Sequence, residues 1–117
     1  MTSKRAEQSA PFVSVTDMKQ LEELFQLSQE KPVVIFKHST TCPISAAAYQ
    51  QMESMKDEVS LIVVQRSRDL SREIEERTGI QHESPQAIIL RNGKAAWHTS
   101  HWNITAEAVE HALHENE

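Results

Sequence analysis

Cysteine is nearly absent from this 117-residue chain, and the single one present is Cys42. That excludes an internal disulfide, a two-cysteine redox cycle within the chain and a thiolate-rich zinc site. Any chemistry of this thiol needs a partner thiol or disulfide from outside. Glycine occurs only twice, at Gly79 and Gly93, so each is read as marking a particular turn. Basic charge is also short: 12 Lys and Arg against 17 Asp and Glu leave a net charge of −5. Such a balance predicts no nucleic-acid partner and no basic patch for a membrane surface. No apolar run approaches the roughly 18 to 20 residues of a membrane span. The start, MTSKRAEQSAPF, lacks the apolar stretch of a secretory signal. The expectation is a cytoplasmic protein with no membrane association and no bound cofactor. Apolar residues make up only 38% of the chain, but they fall in dense clusters, so one core is feasible.

Residues 1–11 are polar and aperiodic and read as a flexible N-terminal tail, leaving 12–117 as the one domain. After a short extended piece at Phe12–Val15, a helix is expected over about Asp17–Ser28. Thr16 or Asp17 caps it, Asp17 and Gln20 have capping-box spacing, and Met18, Leu21, Leu24 and Phe25 share its inner face. Val33-Val34-Ile35-Phe36 is an uninterrupted β-branched and aromatic run, which suits a strand covered on both faces. A second helix follows from Pro43 to about Lys56, with Ile44, Ala48, Met52 and Met55 as its buried stripe. Val59–Val64 reads as another buried strand. Leu70–Thr78 reads as a third helix that stops at Gly79, in the left-handed position past a helix end. Ala87–Leu90, Arg91-Asn92-Gly93-Lys94 and Ala95–Trp97 read as a hairpin, because Asn-Gly supplies the two positive φ angles of its turn. A last helix starts after Thr105 and turns Val109, Ala112 and Leu113 inward. Strand–helix alternation with a terminal hairpin predicts an α/β domain, a central mixed β-sheet with helices on both faces.

The chemistry concentrates at Thr40-Thr41-Cys42-Pro43-Ile44-Ser45. Cys42 falls just past the carboxyl end of a central strand, where open α/β sheets place their sites. Pro43 suits the first helical position, where its missing N–H would be unpaired in any case. Cys42 is thereby the N-cap. Its sulfur is expected to accept from the N–H groups of Ile44 and Ser45 and to face the positive helix end, and Ser45 is expected to add a hydroxyl donor. These influences favour thiolate over thiol. Ser84-Pro85 interrupts the chain just before a buried strand, as a trans turn or as a cis proline beside the cysteine. The cis form would leave backbone groups of Ser84 free to pair with an incoming chain.

The element order from about residue 12 onward resembles the thioredoxin fold, with Cys-Pro-Ile-Ser where thioredoxins carry Cys-X-X-Cys. Gly79-Ile80 and Ser84-Pro85-Gln86-Ala87-Ile88-Ile89-Leu90 resemble that family's helix end, cis-proline and following strand. More closely, His38-Ser39-Thr40-Thr41-Cys42-Pro43-Ile44-Ser45 is similar to the monothiol bacilliredoxins, whose signature is Thr-Cys-Pro-Ile-Ser. The resemblance implies removal of bacillithiol, a small cysteine-containing thiol, from mixed disulfides on oxidised proteins. It makes Cys42 the catalytic nucleophile, with Thr41, Pro43, Ile44, Ser45, Ser84 and Pro85 supporting it or binding substrate. Bacillithiol or another low-molecular-weight thiol would be the co-substrate, and S-thiolated proteins the clients. The second thioredoxin cysteine is replaced by Ser45, so dithiol reduction does not carry over. Two other readings use the same thiol: a thioredoxin-fold adaptor in which Cys42 is not turned over, and a redox sensor in which it is capped once.

Other features read as structural. His98, His101, His111 and His114 form two His-X-X-His pairs without a third ligand at metal spacing, so no metal is expected. His38 reads as a strand-end residue, although it and Lys37 lie close enough in sequence to influence the thiol. Trp97 and Trp102 read as core or edge packing.

Overall fold

A computed structural model of the chain describes residues 11–117. The expected tail lies outside the described residues except for Pro11. Pro11 is buried, and its carbonyl accepts from the Val59 N–H at 3.1 Å. The elements run β1 (Phe12–Ser14), α1 (Met18–Leu27), β2 (Val33–His38), α2 (Pro43–Glu53), β3 (Val59–Val63), α3 (Arg68–Thr78), β4 (Gln86–Arg91), β5 (Lys94–Ser100), a 3₁₀ turn (His101–Asn103) and α4 (Ala106–Glu115).

The five strands lie in the order β1-β3-β2-β4-β5. β3 pairs parallel with both β1 and β2, and β4 pairs antiparallel with β2 and β5. The mixed α/β sheet expected from the alternation is thus present. β2 sits at its centre, and Val33 to Lys37 are all buried because both faces are covered. Alternate residues of β2 feed two cores. Val34 and Phe36 pack with Ala48 and Met52 of α2 and with Val109, Ala112 and Leu113 of α4. Val33 and Ile35 pack with Leu21 and Phe25 of α1 and with Leu70 and Ile74 of α3.

Local chemistry sets several element ends. The Asp17 carboxylate accepts from the Gln20 N–H at 2.8 Å, and Gln20 Oε1 accepts in return from the Thr16 N–H at 2.7 Å. Gly79 closes α3 with φ 76°, its N–H donating to the Glu75 carbonyl. Asn92 and Gly93 turn the hairpin with φ 57° and 76°. A bulge between Ile89 and Leu90 shifts the β4–β5 register.

Three expectations need correction. Met18 is 43% exposed rather than on the inner face of α1. It opens the helix, where the sheet below has already been covered by Leu21 and Phe25. α2 ends at Glu53, so Met55 reaches the core from the turn beyond it. Trp102 is 69% exposed and packs in no core, whereas Trp97 lies half-buried against the α2–α4 core.

Candidate active site

β2 delivers His38 to the carboxyl end of the sheet, and residues 39–41 connect it to α2 with Cys42 as N-cap and Pro43 in its first turn. The placement is the expected one, but the cap chemistry differs. Cys42 makes no side-chain cap hydrogen bond. Ser45 does not serve the sulfur either: it is fully buried, and its Oγ accepts from the Ser39 N–H at 2.9 Å and lies 2.8 Å from His38 Nδ1. Burial holds the His38 imidazole below its usual pKa, which favours the neutral ring. The Ser45 hydroxyl and His38 Nδ1 share a hydrogen bond whose donor is set by the ring tautomer, while the same oxygen accepts from the Ser39 N–H. The His38 ring is packed between Phe36 and Tyr49, with centroids 5.7 and 4.8 Å away. Ser45 and His38 therefore pin the connecting loop, leaving the thiol free of hydrogen bonds to the described residues at its cap position.

Ser45→Ala is expected to leave the Ser39 N–H and the His38 ring without partners, and to cost about 2 kcal/mol of stability. Urea denaturation of the variant against the parent measures it. An unchanged midpoint would mean that the loop is pinned elsewhere.

Gln65, just past β3, is the residue that sequence reasoning missed. Its Oε1 accepts from the Thr40 N–H at 3.2 Å, and its Nε2 donates to Ser39 Oγ at 2.8 Å and Thr41 Oγ1 at 3.2 Å. One side-chain amide thereby ties three consecutive residues before Cys42. Nothing local signals this role, since the partners are more than twenty positions away and meet only through the β2–β3 pairing.

A cleft of about 580 Å³ opens beside the half-buried thiol. Thr41, Cys42, Gln65, Arg68, His82 and Ser84 are among its lining residues. Of the residues marked in the sequence, the structure thus brings Thr41, Cys42 and Ser84 to one cavity. Pro43 is exposed and Ile44 half-buried on the first turn of α2, and Ser45 is turned inward; none of the three lines the cleft. The Ser84-Pro85 bond is cis, as one of the two readings expected. Pro85 is buried, its carbonyl accepting from the His101 N–H at 3.1 Å. The histidine pairs go separate ways: His101 faces Glu83, His111 faces Glu115, and His114 lies between Asp57 and Glu117. Among the described residues no three His, Cys, Asp or Glu side chains gather as a metal site, and no helix is long and apolar enough to cross a membrane.

A lone thiol at the start of a helix beyond the carboxyl end of a central strand, sharing a cleft with the serine that precedes a cis proline, defines a thioredoxin-fold redox protein. The model of the monothiol bacilliredoxin BrxC family matches residues 13–109, and the chain belongs to that family. Among solved structures, it is similar to a protein described as a candidate oxidoreductase with a thioredoxin fold. The two share 36% identity with TM-score 0.77, over 86% of this chain and 92% of the other. Thioredoxin from Trypanosoma brucei brucei, 16% identical, superposes with TM-score 0.73 over 95% of this chain and 94% of its own, and shows the shared fold. Thioredoxin from Fasciola hepatica does the same at 11% identity and TM-score 0.69, over 89% and 98%. Family and fold together assign a thiol redox function.

Proposed function

We propose that this protein removes bacillithiol, or another low-molecular-weight thiol, from mixed disulfides on S-thiolated client proteins of the cytoplasm, using Cys42 as its nucleophile. The observation that carries the reading is the placement of the chain's one cysteine, unbonded at a helix start and facing an open cleft. Membership of the monothiol bacilliredoxin family supports the choice of small thiol.

In the first step the Cys42 thiolate attacks the small-thiol sulfur of the mixed disulfide. A new S–S bond forms to Cys42, the old one breaks, and the electron pair leaves on the client sulfur, which takes a proton from solvent. In the second step the thiolate of another small thiol attacks the adduct. It departs as the symmetrical small-molecule disulfide and returns Cys42 as its thiolate. Overall, the mixed disulfide and one free small thiol become the client thiol and the symmetrical small-molecule disulfide, with Cys42 returned unchanged. Attack must fall on the small-thiol sulfur, because the opposite choice leaves a protein–protein adduct that no second cysteine can resolve. Thr41 and Ser84 contribute cleft wall for substrate, while Pro43, Ile44 and Ser45 hold the helix start.

Mass spectrometry tests it directly. Reduced protein mixed with a bacillithiol-modified client is expected to gain one small-thiol mass at Cys42 as the client loses it, and excess small thiol is expected to make the reaction catalytic. An inert adaptor would show no transfer, and a sensor would be modified once without restoring further client.

A further inference from the structure

Seating the small thiol, rather than the client, against Cys42 requires a feature that recognises it, and the cleft carries an unusual set of charges. Arg68 and Arg72 stand one turn apart on α3 and both line it. Neither has a hydrogen-bond or ion-pair partner among the described residues. Arg77 and Arg91, by contrast, are engaged, the first with Glu22 and the second with backbone carbonyls of Ser28, Gln29 and Asn116.

Close to the cleft lies Lys37, fully buried in the central strand of the sheet. Its ammonium has no hydrogen-bond partner among the described residues. It pairs in register with Gln86 and lies within electrostatic reach of His82 and Glu75, both of which line the cleft. Four more buried polar atoms share this condition: Ser71 Oγ, His82 Nδ1, Ser84 Oγ and Gln86 Oε1. Ser71, only 6% exposed, lines the cleft itself. Unpartnered buried groups are costly, and three of these five, on Ser71, His82 and Ser84, line this one cleft. Three positive charges, Arg68, Arg72 and Lys37, stand here against the two carboxylates of Glu75 and Glu83, both of which act on Lys37. In a chain of net charge −5 that is a local reversal of sign.

We propose that this cleft is a carboxylate subsite that receives the anionic end of the small thiol. Arg68 and Arg72 contact the carboxylate, and buried Lys37 adds a nearby positive charge that no hydrogen bond satisfies. This rests on the exchange reading above and adds to it a substrate class: small thiols bearing carboxylates, in preference to neutral or cationic ones. A ligand anchored by its carboxylate at α3 and by its sulfur at Cys42 settles which sulfur of the mixed disulfide is attacked. The client, held outside, becomes the leaving group. The cleft volume lies within the range of small-molecule sites.

Three symmetrical disulfides of similar size test the proposal: 3,3′-dithiodipropionate with two carboxylates, 2-hydroxyethyl disulfide with no charge, and cystamine with two ammonium groups. The rate of adduct formation at Cys42 is measured for each, with the neutral compound as reference for every protein. In Arg68→Gln/Arg72→Gln the carboxylate-to-neutral ratio is expected to fall on the order of tenfold, and the ammonium-to-neutral ratio to rise. Lys37→Met, which keeps both guanidinium groups, is expected to move the ratios the same way by less. Lys19→Gln/Lys94→Gln removes as much charge from exposed positions outside the cleft and is expected to leave the ratios alone. Ratios unmoved in the cleft variants, or moved equally by the distant pair, overturn the subsite while leaving the exchange reading in place. Failure of the parent protein to form an adduct with any of the three overturns both.

Discussion

Cys42→Ala is expected to abolish removal of the small thiol from a modified client, with no residual turnover. Cys42 is the chain's only thiol, and disulfide exchange has no other nucleophile to draw on. The fold should survive the change. The sulfur makes no cap hydrogen bond and the residue is half-buried, so the stability change should stay within about 1 kcal/mol. Loss of activity and retention of the denaturation midpoint therefore arrive together. Turnover in the variant would place the chemistry on another group. Retained client binding with no turnover in the parent would favour the adaptor reading.

Lys37→Met is expected to make the protein more stable, by about 3 kcal/mol at pH 7. Burial pushes the Lys37 ammonium down from 10.5 to about 8, against the opposing pull of Glu75 and Glu83. That displacement sets the magnitude, at about 1.4 kcal/mol for each tenfold change in proton affinity. Below pH 8 the folded chain must hold a charge that the unfolded chain solvates freely, so the full cost is present there. Between about 8 and 10.5 the unfolded chain binds more protons than the folded one, and parent stability rises with pH through that window. A methionine of similar length fills the space without the charge, so the stability difference between the two proteins should shrink across the same window. Urea denaturation of both at pH 7, 9 and 10.5 measures it, since all other titrating groups cancel in the difference. A difference that is flat with pH would show that burial does not penalise a charge on Lys37. If the more stable variant also loses its preference for carboxylate disulfides, Lys37 is a charge kept for binding at the expense of stability.

Much of the site's placement was legible because it depends on neighbours in sequence. Pro43 sets the start of α2 through its ring and its missing N–H, which makes Cys42 the cap whatever packs around it. The inward direction of Ser45 was not legible. A serine three residues into a helix can bond to its own turn or to the preceding strand, and only the β2–α2 packing angle chooses His38 and Ser39. Lys37 likewise reads in the sequence only as a charge close enough to influence the thiol. It becomes a buried charge because β3 and β4 flank β2 along its full length and α3 covers that face.

The sequence by itself determined what short-range sterics and periodicity control. The Asp17 cap, the Gly79 helix stop, the Asn92-Gly93 turn and the doubly covered strands all follow from residues within a few positions of one another. The tertiary structure alone decided what surrounds the thiol. Gln65, Arg68, Arg72 and His82 reach Cys42 only because the strand order β3-β2-β4 brings the ends of distant segments together. No local pattern encodes that order: it is settled by which faces of the helices must be buried, and that is a property of the whole core.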